Sequence, residues 1–581
     1  PLPLQTNLFP CYGKYGAKEI AALQHSWAQV IHQNMLPFLA SVENDFARVF
    51  SATMGRPIKF VSLLIVLHLC KEMNDWTDEE LIGAAYFDKR FEYAFDLPFH
   101  ELIVCQKTLH NFRRLLLEHE LAGSLFERAA SHIIQMLNLD TTQQRLDSSH
   151  IVSNMAKLSR LGLFVRVTEN FLRKLKRVAP HRYAELPARF RERYGKRRGY
   201  FADTRSGKAQ LRLGECAQDM WELLDRFRGE AAIASLKVMA LLQRVFTEHC
   251  AIEKSAESSA VAVQLRDEAT SPTAPLVESS AAAATEPASL ADHAVVVQDS
   301  KNIPSSALQN PSDEDAAYGY KGQGYEVALA ETCSANNAIQ IITAVQVHAS
   351  NQSDQQSTMA IVEQLEDNNR KPEVLHTDGG FVSGENIIAC AEKGVDLQGI
   401  LTGCDGTPDH LKLADFAFAA EGLTVTACPA GHAPLRQQAK RVRRPDSKKR
   451  EQGFRVHFAR SACATCPLLH RCPIHVQKKS AVLSFTRAEL ASSKRRREQA
   501  TEAFKERNKI RAGIESTNAE MKKRHGMGRL RVRRQQRVEM VVFFKAMGCN
   551  VKRMVEYVLS LDKSAPAAQI GSVATPSLAC G

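Results

Sequence analysis

Glu515 stands among cations in the stretch RNKIRAGIESTNAEMKKRHGMGRLRVRR, which begins at Arg507. At about 100° per residue, Arg511, Glu515, Asn518 and Lys522 fall on one helix face. Ile510, Ile514, Thr517 and Met521 form a second stripe about 100° away that suits packing on a core. Glu520, the other acid, falls on the far side with Ser516 and Lys523 and is expected to be solvated. An ordinary surface helix with intrahelical ion pairs would carry the same pattern. The alternative is a carboxylate kept for a metal ion, with Arg511 and Lys522 beside it to meet phosphate. Asp378 follows the short apolar run VLHT and precedes Gly379 and Gly380. Acids at the carboxyl ends of strands in open sheets face the site crevice, although a plain Asp-Gly turn reads the same way. Asp147, in RLDSSH, occupies a similar extended stretch. Two strand acids and one helix acid form a hard-oxygen set for magnesium or manganese. Two such ions sharing carboxylates activate the attacking oxygen and stabilise the leaving oxygen of a phosphodiester.

The elements that must gather these acids are far apart in a chain of 581 residues, long enough for several domains. Residues 1–140 read as helices. WTDEELIGAAYFDKRFEYAF opens with a capping Thr77 followed by Glu80, and TLHNFRRLLLEHEL starts a helix at Thr108. Such a region could bind DNA or simply pack. QRLDSSHIVSN is extended, and long amphipathic helices fill 155–254. Residues 255–317, rich in Ala, Ser, Pro and Thr, read as a flexible linker. Strands and helices then alternate: GYEVALAET and AIQIITAVQVHA as strands, TMAIVEQLEDN as a helix, EVLHTDGG as a strand, SGENIIACAEKG as a helix capped by Ser383, and DLQGILTG as a last strand. Residues 141–154, 318–403 and 496–560 are therefore expected to build an α/β core, a mixed sheet with flanking helices. The tail 561–581 is expected to be disordered.

Residues 404–495 form a basic, cysteine-bearing insertion. Cys463-x2-Cys466 has zinc-knuckle spacing, and Cys428 and Cys472 would complete a four-cysteine structural zinc site; His432, His470 and His475 are substitutes. A cluster of free thiols is the other reading. Most of the fourteen cysteines sit singly in apolar contexts, which suits a reducing cytoplasm. The net charge of +12 is concentrated in QQAKRVRRPDSKKR, SSKRRREQ and KKRHGMGRLRVRRQQR, a distribution that favours a polyanion partner. The longest apolar run, FVSLLIVLHLC, is far short of the roughly 20 residues that span a bilayer, and no secretory pattern opens the chain. The first residue is Pro1 rather than Met, so the true beginning is expected to be missing.

With these residues in view, the chain resembles bacterial insertion-sequence transposases with a ribonuclease H-like DDE core. Arg511-x3-Glu515-x6-Lys522 resembles the signature around their last acid, LDSSHIVSNMAKLSR the block around the first, and HTDGGFVSGENI the block around the second. PSDEDAAYGYKGQGYEVALAET, GRPIKF, WTDEELIGAAYFDKRFEYAF, TLHNFRR and the cysteine block resemble further parts of the same family. The resemblance implies Asp147, Asp378 and Glu515 as catalytic magnesium ligands. It also implies Arg511 and Lys522 as phosphate contacts, and the neighbouring Lys523, Arg524, Arg529, Arg531, Arg533 and Arg534 extend that basic surface. Relatives often carry a tyrosine where this chain has Asn508. The implied activity is metal-dependent cleavage and strand transfer at terminal inverted repeats, by a homodimer on double-stranded DNA, in the bacterial cytoplasm at the nucleoid. An element-derived DNA-binding protein without catalysis, or a nuclease without strand transfer, is the alternative.

Overall fold

The computed structural model describes residues 10–47, 61–102, 104–195, 200–201, 208–254, 293–403, 407, 409–420, 422–443 and 450–564. Its centre is a mixed sheet of β1 (Gln143–Ile151), β2 (Gly322–Thr332), β3 (Ile342–Ala349), β4 (Val374–Thr377) and β5 (Asp396–Gln398). The spatial order is β3-β2-β1-β4-β5. β2 is antiparallel to both β3 and β1, whereas β4 is parallel to both β1 and β5. A short strand, Ala317–Gly319, folds back on the start of β2 as a hairpin.

The sheet is covered on both faces, and the alternation along β2 divides its residues between them. Val327 and Leu329 join the cluster built with α1 (Val61–Met73), α2 (Leu121–Leu137) and a long C-terminal helix. Ala328 and Ala330 join the opposite cluster with α3 (Asp354–Asp367) and α4 (Gly384–Glu392), the latter capped by Ser383 as expected. α5 (Arg487–Gln499), α6 (Gly513–Lys523) and α7 (Gln535–Ser564) follow. α1 is largely apolar and is buried on every side, polar Ser62, His68 and Glu72 included, which requires neighbours on all of them. The N-terminal helices thus share one core with the sheet and α7 and do not form a separately cored unit.

A second core lies among the helices Arg160–Val178, Lys208–Phe227 and Lys237–His249, around Phe164, Phe171, Met220, Phe227 and Val245. A third holds the strands β6 (Arg436–Arg443), β7 (Arg450–Phe458), β8 (His475–Val476) and β9 (Ala481–Phe485), ordered β6-β7-β9-β8 around Val456, Phe458, Leu483 and Phe485.

Several expectations need correction. Of the stretch read as linker, residues 255–292 lie outside the described residues, but His293–Val297 pairs with Cys250–Lys254 and Leu308 is buried in the second core. The apolar run HAVVV is thus structural. The helix expected from Thr108 begins at Gln106, because Cys105 is the residue that holds extended angles before it. DLQGILTG forms a strand only over Asp396–Gln398, since Arg495 of α5 donates to the carbonyls of Leu397 and Gly399 at 2.7 and 3.1 Å and secures the chain's exit. The last helix extends to Ser564, and residues 565–581 lie outside the described residues. Among the described residues no helix is long and apolar enough to cross a membrane.

Candidate active site

β1 and β4 run side by side with Leu146 opposite Thr377. The next residue on each strand is an acid, so parallel register alone brings Asp147 and Asp378 together. Burial pushes the Asp147 carboxyl above its ordinary value; the Ser148 backbone N–H opposes that shift, the Asp378 charge adds to it, and Arg511 and Lys321 oppose it.

α6 crosses the sheet face beside them. Its apolar stripe behaves as the sequence implies: Ile514 and Met521 are fully buried and Thr517 nearly so. The adjoining face meets the acids. The Arg511 guanidinium, in the turn before α6, places Nη1 3.7 Å from Asp378 Oδ1 and Nη2 3.4 Å from Glu515 Oε1. Asn518 Nδ2 donates to Asp147 Oδ2 at 3.0 Å. The Asp378 and Glu515 side chains remain 58% and 63% exposed, open to a ligand. Three acids from three distant stretches are thereby gathered around one helix face.

What fixes α6 is a buried ionic network that sequence reading missed. Glu331 of β2 is fully buried and lies opposite Arg145 in the register of β1 and β2. It accepts from Thr517 Oγ1 at 2.5 Å and Arg553 Nη1 at 2.6 Å through Oε1, while Arg145 Nη2 lies 2.6 Å from Oε2. Arg145 also reaches the Ile510 carbonyl at 3.4 Å, tying the turn before α6 to β1. Gly513 makes room for this: a Cβ there would lie 1.8 Å from Arg145 Nη1. Gly513→Ala is expected to displace Arg145 from Glu331 and cost about 1–3 kcal/mol, the usual range for overpacking, read as a lower urea midpoint. An unchanged midpoint would show that the guanidinium relocates freely.

Two charged residues at the site also escaped the sequence reading. Asp354, first residue of α3, accepts from Ser148 Oγ at 2.9 Å, next to Asp147, and burial raises its carboxyl above the ordinary value. A Cβ on Gly380 would approach Asp354 Oδ2 to 3.0 Å, so these glycines let the β4 exit pass close. Lys321, at the tip of the Ala317–Gly324 hairpin, lies 3.3 Å from Glu326. Partial shielding and then the facing Lys321 hold the Lys522 ammonium below its ordinary value. The signal for both was present: Asp354 follows a capping Ser353, and Lys321 lies in a block already singled out.

The remaining basic residues divide. Lys523, Arg524 and Arg529 are exposed. Arg531 is engaged within the fold: Nη1 donates to the Asp75 and Trp76 carbonyls at 2.8 and 3.2 Å, and it pairs with the Asp75 carboxylate at 3.2 Å. Arg533 Nε donates to the Asn154 carbonyl, and the Arg534 backbone N–H donates to Asp313 at 2.9 Å. In SSKRRREQ, Arg495 is buried on strand-end carbonyls and Arg497 donates to the Ala414 carbonyl at 2.5 Å, so that run is partly structural. Glu520 is not solvated as expected: α7 covers its side of α6, and Arg553 Nη2 pairs with it at 2.9 Å.

In the third unit Cys428, Cys463, Cys466, Cys472 and His432 line one small cavity, without His470 or His475. The His432 backbone N–H donates to Cys428 Sγ at 3.4 Å. Burial raises the Cys463 thiol, and the thiols of Cys428, Cys472 and Cys466 raise it further.

Residues 427–555 match the family model described as a transposase DDE domain. That span holds the four cysteines, Arg511, Glu515 and Lys522; Asp147 and Asp378 precede it. No curated protein and no solved structure matches the chain. An acid-bearing helix thus lies inside the span that is similar to a transposase DDE domain, and two further acids are brought to it from outside that span.

Proposed function

We propose that the protein is the transposase of a bacterial insertion sequence, which binds the element's terminal inverted repeats and carries out cleavage and strand transfer on double-stranded DNA. One observation carries the reading: Arg511, in the turn before α6, touches both Asp378 and Glu515 while Asn518 of α6 holds Asp147. The ribonuclease H-like reading of the core is supported by a sheet in which an antiparallel β3-β2-β1 half continues into parallel β4 and β5, with Asp147 in the middle of β1 beside Asp378 at the exit of β4.

The donor set suits magnesium or manganese: three carboxylates are hard oxygen ligands, and the charged form of half-buried Asp147 is strained by burial and by Asp378. Asp147, Asp378 and Glu515 would hold such ions, two in this reading, which supply Lewis acidity to the oxygens exchanged at phosphorus. Arg511 and Lys522 orient the phosphate, and Lys321 faces it from the hairpin. The exposed rings of Tyr318 and Tyr320 on that hairpin, the latter 106% exposed, are placed to stack on bases beside the cut. The four cysteines would hold a structural zinc, for which His432 offers an alternative ligand. The N-terminal helices would contact the element's ends, two protomers would bridge them, and the protein would work in the bacterial cytoplasm at the nucleoid.

The test is a magnesium-dependent cleavage and strand-transfer assay on DNA carrying the element's own ends against scrambled ends. Cutting and joining at the element's ends alone is expected; no cutting, or cutting without joining, would contradict the reading. DNA-binding residues separate by salt dependence. Lys522→Ala should flatten the slope of log K against log salt by about 0.9, the value of one phosphate contact. Arg531→Ala should leave the slope unchanged and lower the melting temperature, because its contacts are internal. The reverse pattern would return Arg531 to the DNA surface.

A further inference from the structure

Beneath α6, away from the catalytic acids, Glu520, His525 and Cys549 each direct one ligand atom at the others. These oxygen, nitrogen and sulfur atoms all lie within 4.8 Å of one another. Among the described residues this is the one such trio of histidine, cysteine and acid groups. His525 and Cys549 are fully buried, and the Glu520 side chain is 19% exposed.

The hydrogen bonds around the trio leave the ligand atoms facing one another. His525 Nδ1 lies 2.8 Å from the Met73 carbonyl, which only accepts, so the ring proton belongs on Nδ1. In the neutral ring Nε2 then presents a lone pair; this atom is buried and has no hydrogen-bond partner. Its nearest carboxylate oxygen, Glu520 Oε1, is 3.9 Å away, too far for a hydrogen bond. Arg553 occupies the other oxygen of Glu520, with Nε at 3.3 Å and Nη2 at 2.9 Å, and so orients Oε1 toward the trio. An imidazole fixed through one nitrogen by a backbone carbonyl, beside a carboxylate fixed by an arginine, is the outer-shell arrangement that orients metal ligands.

We propose that Glu520, His525 and Cys549 form a three-ligand zinc site, distinct from both the catalytic acids and the cysteine-bearing unit. Imidazole nitrogen, thiolate sulfur and carboxylate oxygen are the zinc donor set. The Cys549 thiol would give up its proton to solvent as zinc binds, which makes the affinity for zinc fall at acid pH. The site staples three parts of the fold: the end of α6, the middle of α7 and, through the Met73 carbonyl, the end of α1. It would hold in place the helix that presents Glu515.

The experiment measures zinc per chain in the full-length protein, purified under reducing conditions with zinc present, for wild type and Cys549→Ser. One zinc fewer in the variant is expected, whatever the cysteine-bearing unit contributes. Equal zinc content would overturn the site. Crystals of the unaltered protein grown with zinc chloride give a second reading that needs no variant. An anomalous peak at the zinc edge between Glu520 Oε1, His525 Nε2 and Cys549 Sγ supports the site. Zinc bound only at Cys428, Cys463, Cys466 and Cys472, or none at all, overturns it. Neither result depends on whether the protein cuts DNA.

Discussion

Replacing Glu515 by Gln is expected to abolish most DNA cleavage while leaving DNA binding intact. The change keeps the shape of the side chain and removes one negative oxygen ligand. Even outer-shell partners of metal ligands are worth roughly 10–100-fold in affinity or activity, so loss of a direct ligand should exceed about 100-fold. Asp378→Asn should behave alike, because the same guanidinium touches both acids. Binding should persist, since it rests on cations, and removal of a negative charge near the phosphates should tighten it slightly. Gel shift and magnesium-dependent cleavage on the same DNA, for the same preparations, separate the two effects. A Glu515→Gln protein that cuts at the normal rate would reduce the Arg511–Glu515 contact to a surface ion pair.

The second large effect is on stability. Glu331→Ala should cost about 3–5 kcal/mol, the range for breaking a buried ion pair, because Arg145 and Arg553 are left charged without their common carboxylate. Thr517 loses its acceptor at the same time, so α6 is released from β2. The expected result is a marked fall in urea midpoint, with cleavage lost under conditions where the chain is still folded. A loss below about 1 kcal/mol would show that the two arginines find other partners and that Glu331 does not hold the helix.

Local chemistry made much of this architecture legible. Thr77 and Ser383 cap helices as their spacing implies, and the Thr77–Glu80 box closes in both directions. The stripe of Ile514, Thr517 and Met521 packs inward because helical period alone selects it. Asp378 was readable as a strand-end acid and Asp147 as an acid within a strand, and parallel pairing of β1 with β4 then makes them neighbours. What escaped depends on contacts between distant residues. Glu331, Arg145 and Arg553 look like ordinary charges until β2 pairs with β1 and α7 covers α6. The same covering removes Glu520 from solvent. Arg531 and Arg495 read as basic surface, and in the fold they donate to carbonyls just beyond α1 and in β5, contacts that sequence does not locate.

The central claim is that Asp147, Asp378 and Glu515 hold one divalent metal centre. Iron-directed backbone cleavage tests it most directly: Fe2+ replaces Mg2+, and ascorbate with peroxide generates radicals that cut only the chain around the bound ion. The account predicts three sets of cuts, near residues 147, 378 and 515, all suppressed by excess Mg2+ and lost in Glu515→Gln. Cuts confined to one of these stretches, or clustered elsewhere in the chain, would contradict it.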